Sequence, residues 1–129
     1  MTDPLTLLWQ ARRGPVPADW RVFTKRRGKL SGFFHGTSDD PDPLLVITPD
    51  CAVEYISERK PLKIVVFQDV ADMRLRVASS DSSAAVSTWV ELRYLDGNKA
   101  KWRSAGFDLE AIQGFLEAYG VHKAYHGYA

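Results

Sequence analysis

The segment STWVELRYLDGNKAKWRSAGFDLEAIQGFLEAYG, Ser87 to Gly120, decides the architecture. Its first half alternates: Val90, Leu92 and Tyr94 fall on one face of an extended chain, Glu91 and Arg93 on the other. Asp96-Gly97 suggests a two-residue hairpin loop. That loop would set Tyr94 opposite Lys99 and Leu92 opposite Lys101, placing cations on the apolar face. A three-residue loop, Asp96-Gly97-Asn98, instead pairs Tyr94 with Ala100 and Leu92 with Trp102. On the outer face it pairs Arg93 with Lys101 and Glu91 with Arg103. A slip of one residue inverts every side chain, so burial selects the second register, with Asn98 in the left-handed position. The cations Arg93, Lys99, Lys101 and Arg103 then point away from the core.

A helix follows directly. Asp108 suits its N-cap, and Phe107 can staple onto Ile112. Leu109, Ile112, Phe115, Leu116 and Tyr119 form one apolar stripe, and Gly120 reads as the residue just past the helix end. The spacing predicts a helix over about 109–119, and its stripe needs a sheet to cover it.

Upstream, LLVITPDCAVEYIS reads as a second hairpin. Pro49 cannot take the positive φ of a primed two-residue turn. A type I turn at Pro49-Asp50 with a bulge residue after it pairs Ile47 with Val53 and Leu45 with Tyr55. It also puts Cys51 in the left-handed position. Between the hairpins, PLKIVVFQDVADMRLRV gives a short strand near Ile64–Phe67, a turn at Gln68–Asp72, and the alternation Met73, Leu75, Val77 against Arg74 and Arg76. ASSDSSAAVS has almost nothing to bury and reads as a mobile loop. WRVFTKRRGKLSGFF suggests two strands around Arg26–Lys29, and HGTSDDPDP a polar connection. Residues 1–18 form an N-terminal extension, with Asp3 and Pro4 placed to start a short helix.

Composition sets the outer bounds. The 129 residues suit one domain, and 45% hydrophobic with 26% charged residues is ordinary for a globular chain. Net charge is +1, so no global field points to nucleic acid. Cys51 stands alone, so neither an intramolecular disulfide nor a thiolate metal cluster is available, which fits a cytoplasmic setting. The N-terminus lacks the charge order and apolar length of a secretory signal, and no stretch is long enough to span a bilayer as a helix.

Strand after strand followed by one amphipathic helix gives the fold class: mainly β with a C-terminal α-helix, a curled antiparallel sheet or partly open barrel capped by that helix. The chain resembles the pleckstrin-homology-like superfamily, its bacterial members above all. The resemblance rests on VITPDCAVEY as the early hairpin, IVVFQDVADMRLRV as the strand–turn–strand middle, and VELRYLDGNKAKWRS with FDLEAIQGFLEAYG as the last hairpin and closing helix. It spans residues 44–120 and implies a barrel domain over 19–129, without an invariant motif; Cys51 stands where such families commonly have Gly.

Enzyme signatures are absent: no P-loop, GxGxxG, nucleophile elbow or HExxH occurs, and no cofactor is expected. His122 and His126 have the four-residue spacing of helical metal ligands, but they follow Gly120 with no third ligand in view, so no metal site is expected. Asp39, Asp40 and Asp42 lack the spacing of a calcium loop. Charge is unevenly placed along the chain. Arg12 to Lys29 holds seven cations against Asp19, and Asp39 to Glu58 holds six acids with no Lys or Arg. The expected role is a non-enzymatic interaction module that binds a protein or peptide, or a second copy of itself, through sheet edges and charged surfaces. In the self-associating form, Arg12 and Arg13 face Asp39, Asp40 and Asp42 across a symmetric interface. Two alternatives stand beside it. One is a small-ligand-binding protein. The other uses the basic loop Lys25, Arg26, Arg27 and Lys29 to hold anionic lipid headgroups, as the resemblance implies for eukaryotic relatives. Nucleic acid is disfavoured, because Leu92 and Tyr94 draw Trp102 inward and no stacking platform is evident.

Overall fold

Short β-branched and aromatic runs divided by turn residues form seven strands in the computed structural model, which describes residues 3–24, 42–79, 86–103 and 109–126. The order is helix α1 (Pro4–Arg13), strands β1 (Arg21–Thr24), β2 (Leu44–Ile47), β3 (Cys51–Tyr55) and β4 (Lys63–Val66), then a 3₁₀ turn at Phe67–Asp69. Strands β5 (Val70–Ser79), β6 (Val86–Tyr94) and β7 (Lys99–Trp102) follow, and helix α2 (Leu109–Tyr125) closes the chain. The strands make two antiparallel sheets, β1-β2-β3-β4 and β5-β6-β7, each paired in chain order. The basic loop Lys25–Lys29, the acids Asp39 and Asp40, and the helix-start residues Phe107 and Asp108 lie outside the described residues. No described helix is long and apolar enough to cross a membrane.

The mainly-β, helix-capped class is what the strand order and the amphipathic stripe demand. Helix α2 lies against both sheets and gathers the main core. Phe115 stacks on Trp102 with ring centroids 4.2 Å apart, and Phe67, in the turn joining the sheets, meets Phe115 and Tyr119 edge-on at about 6 Å. Leu45, Ile47, Ala52, Val90 and Leu92 complete this cluster. The Tyr119 hydroxyl donates to the Val70 carbonyl (2.9 Å), so the one polar tip in this stripe is satisfied.

A second cluster lies on the opposite face of the first sheet. Helix α1 starts at the Asp3 cap with Pro4 in its first turn and sets Leu7 and Leu8 over Leu44, Val46, Cys51 and Val53. Residues 4–13 are therefore a docked helix. They make β2 a strand buried on both faces, as the unbroken run Leu44-Leu45-Val46-Ile47 allows.

Both hairpins depart from the expected registers. In β6–β7 the pairs are Val90–Trp102, Glu91–Lys101, Leu92–Ala100 and Arg93–Lys99. The faces are as expected, but the strand slides by two residues and the loop is Leu95-Asp96-Gly97. Gly97 takes the positive φ (89°) there, at less cost than Asn98 would bear. The Gly97 amide donates to the Tyr94 carbonyl, and the Asp96 carboxylate accepts from the Asn98 amide (2.9 Å).

In β2–β3 the pairs are Val46–Val53 and Ile47–Ala52, one residue away from the expected Ile47–Val53. Thr48 and Cys51 close a two-residue loop at Pro49-Asp50 without a bulge, the Thr48 amide donating to the Cys51 carbonyl (2.8 Å). The Thr48 hydroxyl holds the turn by accepting from the Asp50 and Cys51 amides (3.2 and 3.1 Å). Cys51 consequently belongs to β3 rather than to a strained turn position. The expected loop over 78–87 is also shorter, since β5 runs to Ser79 and β6 starts at Val86.

Helix α2 passes through Gly120 and ends at Tyr125. The expected stop at Gly120 is corrected by what lies beyond it: His122 is buried, three residues past Tyr119, and prolongs the covered stripe. That continued burial outweighs the roughly 1 kcal/mol a helical glycine costs.

Candidate functional site

The outer face of the second sheet is built by alternation. β5 contributes Asp72, Arg74 and Arg76, β6 contributes Arg93, Glu91 and Trp89, and β7 adds Lys99 and Lys101, with Arg103 just past its end. Register sets them in rows: Asp72–Arg93–Lys99, Arg74–Glu91–Lys101, and Arg76–Trp89. Arg103 joins the last row, its guanidinium 5.7 Å from the Trp89 ring, which also carries the Lys101 ammonium at 5.2 Å. A shallow depression lined by Asp72, Arg74, Arg76, Glu91, Arg93 and Lys99 runs across the face.

Six cations thus share one face with two acids. Arg74 pairs with Asp72 (3.0 Å) and Arg76 with Glu91 (2.9 Å). Among the described residues Arg93, Lys99, Lys101 and Arg103 form no ion pair, leaving an excess of four positive charges here on a chain whose net charge is +1. Sequence alternation placed these cations outward beside Trp89, and the structure adds the two β5 arginines to the same surface.

Of the residues expected to pair between copies, Arg12, Arg13 and Asp42 are described, and their contacts lie within one chain. Arg12 donates to the Asp42 carbonyl (2.9 Å) and lies over the Tyr55 ring, while Arg13 covers Trp9 at 3.9 Å. The basic-loop residues Lys25, Arg26, Arg27 and Lys29 are not among the described residues, nor are Asp39 and Asp40. Trp102 is buried on Phe115, as its apolar partners required.

Two groups escaped the sequence. Glu54 belongs to the acidic run, yet its side chain is fully buried on the core face of β3, with Lys63 Nζ at 4.0 Å. Its carboxylate oxygens find no hydrogen-bond partner among the described residues. Burial pushes its pKa up to about 7, against a partial lowering by Lys63. Nothing but tertiary packing marks it. The Cys51 thiol is likewise buried; loss of solvent raises its pKa despite the Thr48 hydroxyl at 3.4 Å, so it is not a reactive thiolate.

The second correction concerns the histidines. Because α2 continues, His122 and His126 share one helix face, and the β2–β3 turn brings Asp50 to them. A third candidate ligand is present, contrary to the sequence expectation, and Asp50 gave no sign of it because the contact exists only in the fold. No protein-family model and no curated protein matches this chain.

Proposed function

We propose that this protein is a non-enzymatic binding module on a PH-like framework, and that the outer face of β5-β6-β7 docks an acidic polypeptide segment. The observation that carries the reading is the excess of cations on that face, arranged in rows by strand register. Carboxylates laid along such rows meet guanidinium forks and ammonium groups at intervals set by the sheet. Two features of the described residues favour a polypeptide over other polyanions. Trp102 is buried and Trp89 is covered by Lys101 and Arg103, so among the described residues this face offers no bare aromatic ring for base stacking. Nor do the rows themselves hold a large aliphatic side chain to enter a bilayer, the exposed Leu95 lying in the loop beyond them.

Fluorescence anisotropy with a labelled Asp/Glu-rich peptide tests the proposal at low and high salt. Binding that weakens as salt rises, and falls roughly tenfold or more in Arg93→Glu/Lys101→Glu, is expected for close charge pairs across an interface. The variant's melting temperature should stay near the parent's, because exposed charges contribute little to stability. Absence of binding at low salt, or equal binding by the charge-reversed variant, overturns it. Light scattering in parallel shows whether a second copy supplies the acidic segment: a dimer lost at high salt and in Asp39→Asn/Asp40→Asn/Asp42→Asn identifies that copy as the partner.

A further inference from the structure

Asp50, His122 and His126 converge where the β2–β3 turn meets the last turn of α2. One ligand atom from each lies within 4.8 Å of the other two. Asp50 Oδ1 is 3.9 Å from His122 Nδ1, and the two imidazole rings have centroids 4.3 Å apart. The Pro49 carbonyl lies 3.0 Å from the same Nδ1. A carbonyl only accepts, so this contact is a hydrogen bond in the tautomer with its proton on Nδ1. His122 is held in this pose by burial edge-on against Phe67 (5.7 Å).

We propose that Asp50, His122 and His126 bind one divalent late transition-metal ion, of the zinc type, through one imidazole nitrogen from each histidine and one carboxylate oxygen. Tetrahedral bonds of about 2.0–2.1 Å hold ligand atoms roughly 3.4 Å apart. The present separations of 3.9 Å and up to 4.8 Å exceed that value by roughly 0.5–1.4 Å. The two ligands that must move are those able to: the Asp50 side chain is 70% exposed and His126 is exposed, whereas His122 is fixed. Two imidazoles and one carboxylate select zinc, cobalt, nickel or copper over magnesium and calcium, which prefer all-oxygen shells.

Electrostatics point the same way. The Asp50 carboxylate is negative, and the C-terminal end of α2 presents the negative pole of its dipole. On binding, His122 changes tautomer: Nδ1 gives up its proton as Nε2 takes one, so the ring ligates as a neutral imidazole and the ion displaces the Nδ1–Pro49 hydrogen bond. The site joins the end of the closing helix to the first hairpin, so an ion there clasps the cap onto the sheet. It lies apart from the cationic face, and the two readings stand or fall separately.

The test uses the full chain without an affinity tag, stripped with a chelator and titrated with Zn²⁺ by calorimetry. One ion per chain and a rise in melting temperature are expected. Co²⁺ should give the visible absorption bands of a tetrahedral site. In NMR spectra one equivalent of Zn²⁺ should shift the ring signals of His122 and His126 and leave those of His35 in place. His126→Ala and Asp50→Asn, both at exposed positions, should keep the fold by circular dichroism. Each should lose roughly tenfold or more in affinity, since even outer partners of metal ligands cost roughly 10–100-fold when removed. His35→Ala should bind as the parent does. No isotherm with Zn²⁺, Co²⁺ or Ni²⁺, or undiminished Zn²⁺ binding by the His126→Ala/Asp50→Asn double variant, overturns the proposal.

Discussion

The two sheets are made of similar residues and are covered differently. β1-β2-β3-β4 is covered on both sides: α1 packs one face through Leu7 and Leu8, and α2 with the second sheet packs the other around Leu45 and Ile47. The sheet β5-β6-β7 is covered on one side only, and its other face carries Arg74, Arg76, Arg93, Lys99 and Lys101. A sheet with one wet face keeps that face open to a partner, whereas a sheet buried on both sides serves as the structural centre. The same difference governs how each strand reads. In Val90–Tyr94 alternation names the inner face, while in Leu44–Ile47 every position is apolar and no face is marked.

The largest expected effects test whether the first sheet is sealed on both sides. Phe115→Ala removes a ring in contact with Trp102 and Phe67 and should cost about 3–5 kcal/mol; Leu8→Ala, under α1, should cost about 2–5 kcal/mol. Urea unfolding measures both. A Leu8→Ala loss under about 1 kcal/mol would show α1 to be an ornament rather than a cover. Leu75→Ala, on the partly open sheet where the side chain is 45% exposed, should cost much less than either.

Glu54 sharpens the contrast, because the first sheet buries a carboxyl completely on its core face. Its pKa is about 7 in the fold against 4.5 for an ordinary glutamate. Between those values the native chain holds a proton that the unfolded chain has released, so stability falls as pH rises from about 4.5 to 7 and levels off above. The full loss is on the order of 3 kcal/mol, from 1.36 kcal/mol per pKa unit. Glu54→Gln should therefore be the more stable protein at pH 8, and its unfolding free energy should lack this fall. Parallel pH profiles for the two proteins between pH 4 and 8 would sink this assignment.

How much could be read in advance follows from the same physics. The β6–β7 faces were legible, since a one-residue slip would have buried Lys99 and Lys101. Its two-residue slide was not, because it preserves every face; only the preference of Gly97 over Asn98 for positive φ decides it. In β2–β3 the observed register sets Glu54 rather than Tyr55 opposite Leu45, so hydrophobicity favoured the expected register and the fold overrides it. The Thr48 hydroxyl, which accepts from two turn amides, selects the observed one instead. The cationic face was half legible: its β7 side came from alternation, and its β5 side needed the pairing Arg74–Glu91. Glu54 and the Asp50–His122–His126 cluster arise from contacts distant in sequence and leave no local trace. His122 alone had a signal, lying three residues beyond Tyr119 on a stripe that a helix ending at Gly120 would cut short.

Gly97 and Gly120, the two glycines whose roles differ from expectation, supply the smallest and most specific prediction. Gly97 lies in the loop of the open sheet with φ at 89°, where any side chain is strained although nothing crowds it. Gly97→Ala should destabilise the protein by about 1 kcal/mol. Gly120 lies within α2 and also faces open space, so a methyl group there meets no obstacle. Gly120→Ala should stabilise by about 0.5–1 kcal/mol, through helix propensity and a less flexible unfolded chain. Had Gly120 ended the helix in the left-handed conformation, both substitutions would destabilise. Opposite signs in a thermal melt thus report that α2 continues to Tyr125, and with it that His122 and His126 lie on one helical face opposite Asp50.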